Sequence, residues 1–262
     1  MFEEQVGWAA EAGVDYIIAE TIPWLGEAEI ALDVMKRTKL PTVVTFALHR
    51  EGQMRDGFAP GEAAKRLADQ GADVVGLNCA RGPRTMLPYV KEIRAAVKTH
   101  VAALPVPYRT TPEEPTFQSL TERDAQCAHC IPDGRPFPVA LDPFQATRYE
   151  IAAFGREAFA ANIRYLGVCC GAGPHHIRAL AEALGRRPPA SRFSPDSVQA
   201  LRAWDRPSAQ ARKSRICCAP VRQSPACPRG GRGFRPVRPP SQVFGPGRST
   251  PGAGSSWRPT AC

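Results

Sequence analysis

Three cysteine residues stand at the ends of two predicted β-strands. Cys79 closes the run Gly-Leu-Asn-Cys, and Cys169 and Cys170 stand in the run Gly-Val-Cys-Cys-Gly. In a parallel βα fold the carboxyl ends of the strands meet on one face, so we expect the three thiols to lie together. Catalytic zinc commonly takes three protein ligands and leaves a fourth position open, and thiolates favour zinc over magnesium or calcium. The pattern predicts a zinc site at which an incoming thiol would lose its proton and become a nucleophile.

The adjacent cysteines can bind one metal ion together only at the end of a strand. Neighbouring residues of a strand point to opposite faces, so Cys169 and Cys170 can face one ion only at such an end. Gly171 and Gly173 are typical of this position. The competing interpretation is that the cysteines are buried apolar side chains, since free cysteine is among the most buried residue types.

The hydrophobic pattern predicts the strands and helices that must position these thiols. Residues 1–185 alternate short β-branched runs with amphipathic helical runs, which predicts an α/β fold with parallel strands. The predicted strands are residues 14–20, 41–46, 73–79, 100–106 and 164–169. Helices are expected to end near Gly13, Gly71 and Gly185 and to begin at Pro60 and Pro174. Residues 108–142 form a connection too long for a turn, which we interpret as a lid or wall over the site.

Two further sets of metal-binding residue types receive a weaker interpretation. Cys127 and Cys130 have metal or redox spacing, but no second ligand pair lies nearby in the sequence, so a second metal site is the less favoured interpretation. His175 and His176 follow the cysteine pair at a predicted helix start. We expect them to be capping or surface groups, because three thiolate ligands leave only one coordination position of the metal, which the substrate would occupy.

Charge divides the chain into a neutral body and a basic tail. The net charge is +9, yet residues 207–262 hold ten Lys or Arg and no acidic residue, so the first 206 residues hold 24 basic against 25 acidic groups. The body gives no reason to expect a nucleic acid partner. The tail, taken as residues 196–262, is rich in Pro, Arg and Gly and is predicted to be disordered. Its Arg-Gly-Gly segment at 229–234 keeps a nucleic-acid-binding protein open as an alternative function.

The N-terminal sequence predicts a cytoplasmic protein. The chain opens without the basic and apolar regions of a signal peptide, and no apolar run approaches the roughly 20 residues that a bilayer span needs. We therefore expect no membrane association. In a reducing compartment nine cysteines favour metal or redox chemistry over a disulfide framework.

Several segments resemble the homocysteine S-methyltransferase family, most closely its betaine-using members and their bacterial relatives. The segments are VDYIIAET, APGEAAKRLADQGADVVGLNC, PYRTTPEEPTFQSL, RPFPVALDPF and GVCCGAGPHHIRALAEAL. The resemblance covers about residues 5–195. It implies a (β/α)8 TIM-barrel type domain over residues 1–195 that is incomplete, with about the last five βα units. It also implies zinc held by Cys79, Cys169 and Cys170, with homocysteine as methyl acceptor, a small onium compound such as betaine as donor, and methionine as product.

The resemblance also suggests substrate-binding residues. Glu20 aligns with a strand-end glutamate that contacts the homocysteine amino group, and Thr45 and Asn78 align with polar positions near the substrate. The alternatives are a solvated charge at Glu20 and backbone hydrogen bonding by the other two. Thr21 stands where the betaine enzymes have a tyrosine, which weakens the case for betaine and leaves S-methylmethionine open.

An incomplete barrel has a physical consequence. Five strands would leave two open parallel edges, which favours instability, homo-oligomer formation or loss of activity. A zinc-binding fragment without turnover is therefore the second functional hypothesis.

Overall fold

A computed structural model of the chain describes residues 1–122 and 134–194. Within these residues five strands form one parallel sheet in the order β1-β2-β3-β4-β5. The strands are β1 (Ile17–Ile22), β2 (Thr42–Phe46), β3 (Val74–Asn78), β4 (His100–Leu104) and β5 (Tyr165–Leu166). All five predicted strands are confirmed. The last is shorter than the predicted run 164–169, although Gly167 and Cys169 still donate backbone hydrogen bonds to Ala103 and Pro105 along the β4 side.

In the described ranges six α-helices accompany the strands, and most of them bury an apolar stripe. They are α1 (Phe2–Glu11), α2 (Leu25–Lys36), α3 (Pro60–Asp69), α4 (Pro83–Ala96), α5 (Arg148–Ala160) and α6 (Pro174–Ala183). The stripes of α2, α3 and α4 pack on the sheet in one large core. For α6 the hydrophobic pattern predicts a buried stripe of Ile177, Leu180, Ala181 and Leu184, and this prediction is partly wrong. Ile177 is 50% exposed, because His176 takes the buried position beside Ala179 and Leu180.

Glycine and proline mark the helix ends as the sequence predicts. Gly13, Gly71 and Gly185 have φ of 74°, 94° and 79°, a region that residues with a Cβ rarely adopt. Pro60 and Pro174 occupy the first turns of α3 and α6. In the described ranges, no helix combines the length and apolarity that crossing a bilayer requires.

The two edge strands of the sheet come close on its concave side. Tyr16, just before β1, and Ile18 are 48% and 39% exposed, whereas Ile17 is buried against the helices. The side chain of Tyr165 in β5 lies near that of Tyr16, and burial, followed by the influence of Tyr16, raises the pKa of Tyr165. The sheet is therefore strongly curved, and the curvature brings the carboxyl ends of β1, β3 and β5 near one another.

Candidate metal centre

The three cysteine sulfur atoms lie together at the carboxyl edge of the sheet. The Sγ atoms of Cys79, Cys169 and Cys170 all lie within 4.8 Å of one another. The Cys170 Sγ lies 3.7 Å from that of Cys79 and 3.9 Å from that of Cys169. Cys79 and Cys169 are half-buried free thiols and Cys170 is exposed, so the interpretation of three buried apolar side chains does not hold. The arrangement offers three soft ligands to one ion and leaves a side open to solvent.

A left-handed turn directs Cys79 away from the line of β3. Cys79 and Ala80 have φ of 59° and 55°, a conformation that costs about 1 to 2 kcal/mol per residue with a Cβ. The Cys79 N–H donates to the Leu104 carbonyl at 3.0 Å, and the Phe117 N–H donates to the Ala80 carbonyl at 2.9 Å. Neighbouring segments therefore hold the turn in a strained shape, as is typical of functional sites.

The backbone turns at Gly171, directly after the cysteine pair. This glycine has φ of 84°, and a Cβ at this position would lie 2.1 Å from the Tyr108 hydroxyl oxygen. The Tyr108 ring also stacks on Phe117, with 5.7 Å between ring centroids. Tyr108 thus forms a wall beside Cys170, a role that the sequence analysis did not assign to it.

The long connection packs beside the cysteines, in agreement with the wall predicted for it. Its described parts, 108–122 and 134–142, contribute to a small apolar cluster that contacts Cys79 and Cys169. The cluster consists of Val106, Tyr108, Phe117, Leu120 and Leu141. The Cys127 and Cys130 motif lies outside the described residues, as does the tail from residue 196 onward.

Hydrogen bonding makes the three thiols unequal. The hydrogen bond from Cys79 lowers the pKa of Cys169 to about 6 against the effect of burial, and hydrogen bonds from Cys170 and Asn78 act in the same direction. The same bond with Cys169, followed by burial, raises the pKa of Cys79. Burial, followed by the charge of Cys169, raises the pKa of Cys170. The geometry therefore favours one thiolate near neutral pH, and three thiolates at these distances require a cation between them.

Asn78 connects the predicted site residues through its buried amide. Its side chain is 0% exposed. The Oδ1 atom accepts from the Thr21 N–H at 2.8 Å and from the Thr45 hydroxyl at 2.9 Å. The Nδ2 atom donates to the Thr21 hydroxyl at 2.7 Å and lies 3.4 Å from a Glu20 carboxylate oxygen and 3.9 Å from the Cys169 sulfur. One amide thus ties β1 and β2 to the cysteine pair.

The predicted substrate residues divide into one exposed and two buried groups. The Glu20 side chain is exposed at the end of β1, beside the Asn78 amide. Thr45 is 1% exposed, and its hydroxyl donates to Asn78. Thr21 has φ of 64° at an irregularity of β1, and its bonds to Asn78 make it part of the site. From the sequence Thr21 stands out only as a substitution, because its hydrogen bonds join residues far apart in the chain.

His176 is a structural residue, as expected. Its Nδ1 accepts from the Gly173 N–H at 3.0 Å, which caps α6, and its Nε2 lies 3.0 Å from the Ala146 carbonyl oxygen, to which it donates. Both ring nitrogens are engaged, and burial lowers the pKa of His176. His175 is exposed. Of the residues that the structure describes, the three cysteines alone form a cluster of ligand atoms suited to a metal ion.

The chain is similar to known proteins in both sequence and structure. The homocysteine S-methyltransferase family profile matches residues 1–184. Betaine–homocysteine S-methyltransferase 1 of Danio rerio is 38% identical over 208 residues, covering 78% of this chain and 48% of the relative. S-methylmethionine–homocysteine S-methyltransferase BHMT2 of Pongo abelii is 35% identical over 242 residues, covering 87% of this chain and 62% of the relative. The metallated homocysteine methyltransferase MmuM of Escherichia coli aligns with a TM-score of 0.49 at 16% identity, covering 69% of this chain and 50% of that structure.

The family profile and the two curated relatives show the family of this chain. The chain spans 48% to 62% of the length of these two curated relatives. The family profile covers well over half of the chain and includes all three cysteines. The chain belongs to the homocysteine S-methyltransferase family.

Proposed function

We propose that the chain acts in zinc-dependent methyl transfer from a small onium donor to the sulfur of homocysteine, which gives methionine. Its fold, on this proposal, is the last five βα units of a (β/α)8 barrel over residues 1–195. The observation that carries the proposal is the spacing of the three cysteine sulfurs at the carboxyl edge of the sheet. This edge is where βα barrels collect their catalytic groups.

Two of the three sulfur–sulfur distances match tetrahedral zinc coordination. Tetrahedral coordination at a Zn–S distance of roughly 2.3 Å separates two sulfur ligands by about 3.8 Å. The two sulfur pairs that include Cys170 are separated by 3.7 and 3.9 Å. When bound by Cys79, Cys169 and Cys170, zinc would supply Lewis acidity that stabilises the thiolate form of a substrate thiol.

The chain's own residues would orient the substrate. The exposed Glu20 carboxylate lies beside the Asn78 amide, which also contacts Cys169. A carboxylate at this position suits the ammonium group of homocysteine. Asn78 and Thr45 are too buried to meet much of a substrate. We infer that they hold Glu20 and Cys169 in place. The Tyr108 wall limits the access of water to one side of the thiols.

The donor is proposed as an onium compound of the kind that the relatives' names contain. These names specify betaine and S-methylmethionine. The methyl group of such a donor must approach from the open side of the cysteine cluster, where Cys170 is exposed.

A second candidate function is metal binding without turnover. The observation that favours it is that the chain spans only about half of its curated relatives. Cys79, Cys169 and Cys170 would then hold a metal ion without methyl transfer. Self-association through the edge strands, a cytoplasmic location and nucleic acid binding by the tail remain predictions from the sequence.

One experiment separates these functions. Metal content of the purified chain is measured by mass spectrometry, and methionine formation is assayed with homocysteine and a panel of donors that includes betaine and S-methylmethionine. We expect one zinc per chain, lost in Cys170→Ser and retained in the matched control Cys262→Ser. Stoichiometric zinc without methionine from any donor would favour the second function, and retention of zinc by Cys170→Ser would refute the site.

A further inference from the structure

A cavity of about 720 Å³ lies among loops that follow β2 and β4. One wall comes from residues 49–55, after β2, and the other from residues 114–121 together with Arg135. Three arginines line it, Arg50 and Arg55 on the first wall and Arg135 on the second. Cys79, Cys169 and Cys170 do not line this cavity, so it is distinct from the metal centre.

The described lining residues of this cavity carry more positive than negative charge. Among them, Glu51 and Glu114 are acidic, against the three arginines. The carboxylate of Glu114 already accepts from both the N–H and the hydroxyl of Thr121. Within residues 1–122 and 134–194, no ion pair joins Arg50, Arg55 or Arg135 to a carboxylate. Their guanidinium donors are therefore available to an anion, and guanidinium forks bind carboxylates in a bidentate way.

Both walls are anchored to the strained turn that carries Cys79. The buried guanidinium of Arg81 donates to the Leu48 carbonyl at 3.2 Å and to the His49 carbonyl at 2.5 Å, which fixes the first wall. The Phe117 N–H donates to the Ala80 carbonyl, which fixes the second wall. The backbone segments 48–49 and 117 on the two walls are thus held by a common support, which favours a ligand that bridges the walls.

We propose that this cavity binds a small organic anion with two acidic groups, one paired with Arg50 and Arg55 and the other with Arg135. The volume far exceeds that of an inorganic ion, so a single phosphate or sulfate would not reach both walls. Leu120 is the one aliphatic lining residue in the described part of the chain, and the ligand is accordingly polar over most of its surface. Arginines from separate loops favour a dicarboxylate or tricarboxylate over a monocarboxylate.

The test uses the full chain, with citrate as the probe and acetate as the monofunctional comparator, in isothermal titration calorimetry. We expect saturable citrate binding at millimolar or lower concentration, weaker binding of acetate and a loss of affinity as salt is raised. Arg50→Gln and Arg135→Gln, one on each wall, are each expected to weaken citrate about tenfold. Arg186→Gln, an exposed arginine beyond α6, is the matched control and should bind citrate as the wild type does.

Several results would overturn the proposal. They are citrate binding that does not saturate below about 10 mM, equal affinity for citrate and acetate, or unchanged affinity in both wall variants. Urea unfolding of each variant separates a loss of binding from a loss of folding. Because citrate also binds zinc, Cys170→Ser, which is expected to lose the metal, is titrated in parallel. Its citrate affinity should be that of the wild type, and a loss of affinity would mean that citrate binds at the metal centre instead of in this cavity.

Discussion

The amide of Asn78 should be one of the largest single polar contributions to the stability of the site. In Asn78→Ala the buried hydroxyl of Thr45 loses its acceptor, and Thr21 loses one hydrogen bond at its N–H and one at its hydroxyl. An orphaned buried donor costs about 1 to 3 kcal/mol, and the part-buried bonds of Thr21 about 0.5 to 1.5 kcal/mol each. We expect the free energy of unfolding to fall by about 3 kcal/mol.

Thr45→Val supplies the matched control for this prediction. It removes one hydrogen bond, while the Asn78 Oδ1 keeps its bond from the Thr21 N–H at 2.8 Å. The expected loss is about 1 kcal/mol. Urea unfolding of chelator-treated protein measures both losses, as shifts of the midpoint at constant slope. Metal-free protein is used so that a change in zinc affinity does not enter the comparison.

The double variant tests whether the two side chains act through the same bond. Because Asn78 and Thr45 contact each other directly, their losses should not add, and the coupling should be about 0.5 to 1 kcal/mol. The reasoning would be refuted if Asn78→Ala lost less than Thr45→Val, or if the two losses added fully. Either result would mean that the amide is not the connection between β1, β2 and the cysteine pair.

Two further predictions concern the turn after the cysteine pair and the cap of α6. Gly171→Ala should cost about 3 kcal/mol and weaken zinc uptake, because a left-handed φ is combined with a contact of 2.1 Å to the Tyr108 hydroxyl. Gly57→Ala has a similar φ of 89° and nothing within 4 Å, so about 1 kcal/mol is expected from urea unfolding, without a change in zinc. Burial holds the pKa of His176 below its ordinary value, so as pH falls the unfolded chain takes up this proton first. Stability should therefore be fully present above about pH 6.5 and decrease below it. His176→Gln, compared with the wild type at pH 7.5 and 5.5, should show a smaller decrease, and an equal decrease would contradict this assignment.

Local pattern was sufficient to predict the strands, the helix ends and the meeting of the thiols. Buried parallel strands have long apolar runs, and left-handed helix ends select glycine, so both leave signals within a few residues. The convergence of Cys79 with Cys169 and Cys170 followed because parallel strands direct their carboxyl ends to one edge. The buried face of α6 was predicted less well, since periodicity treats His176 as polar whereas its two hydrogen bonds allow it to be buried.

The sequence by itself determined which residue types stand at the strand ends, and with them the family and the kind of metal that the thiols favour. Only the tertiary structure decided how these residues share their hydrogen bonds. It joined Thr21 and Thr45 to Asn78, set Tyr108 against Gly171, and arranged three arginines around one cavity. These contacts depend on the curvature of the sheet and on loops up to about 90 residues apart, and no period of two or 3.6 residues encodes such distances.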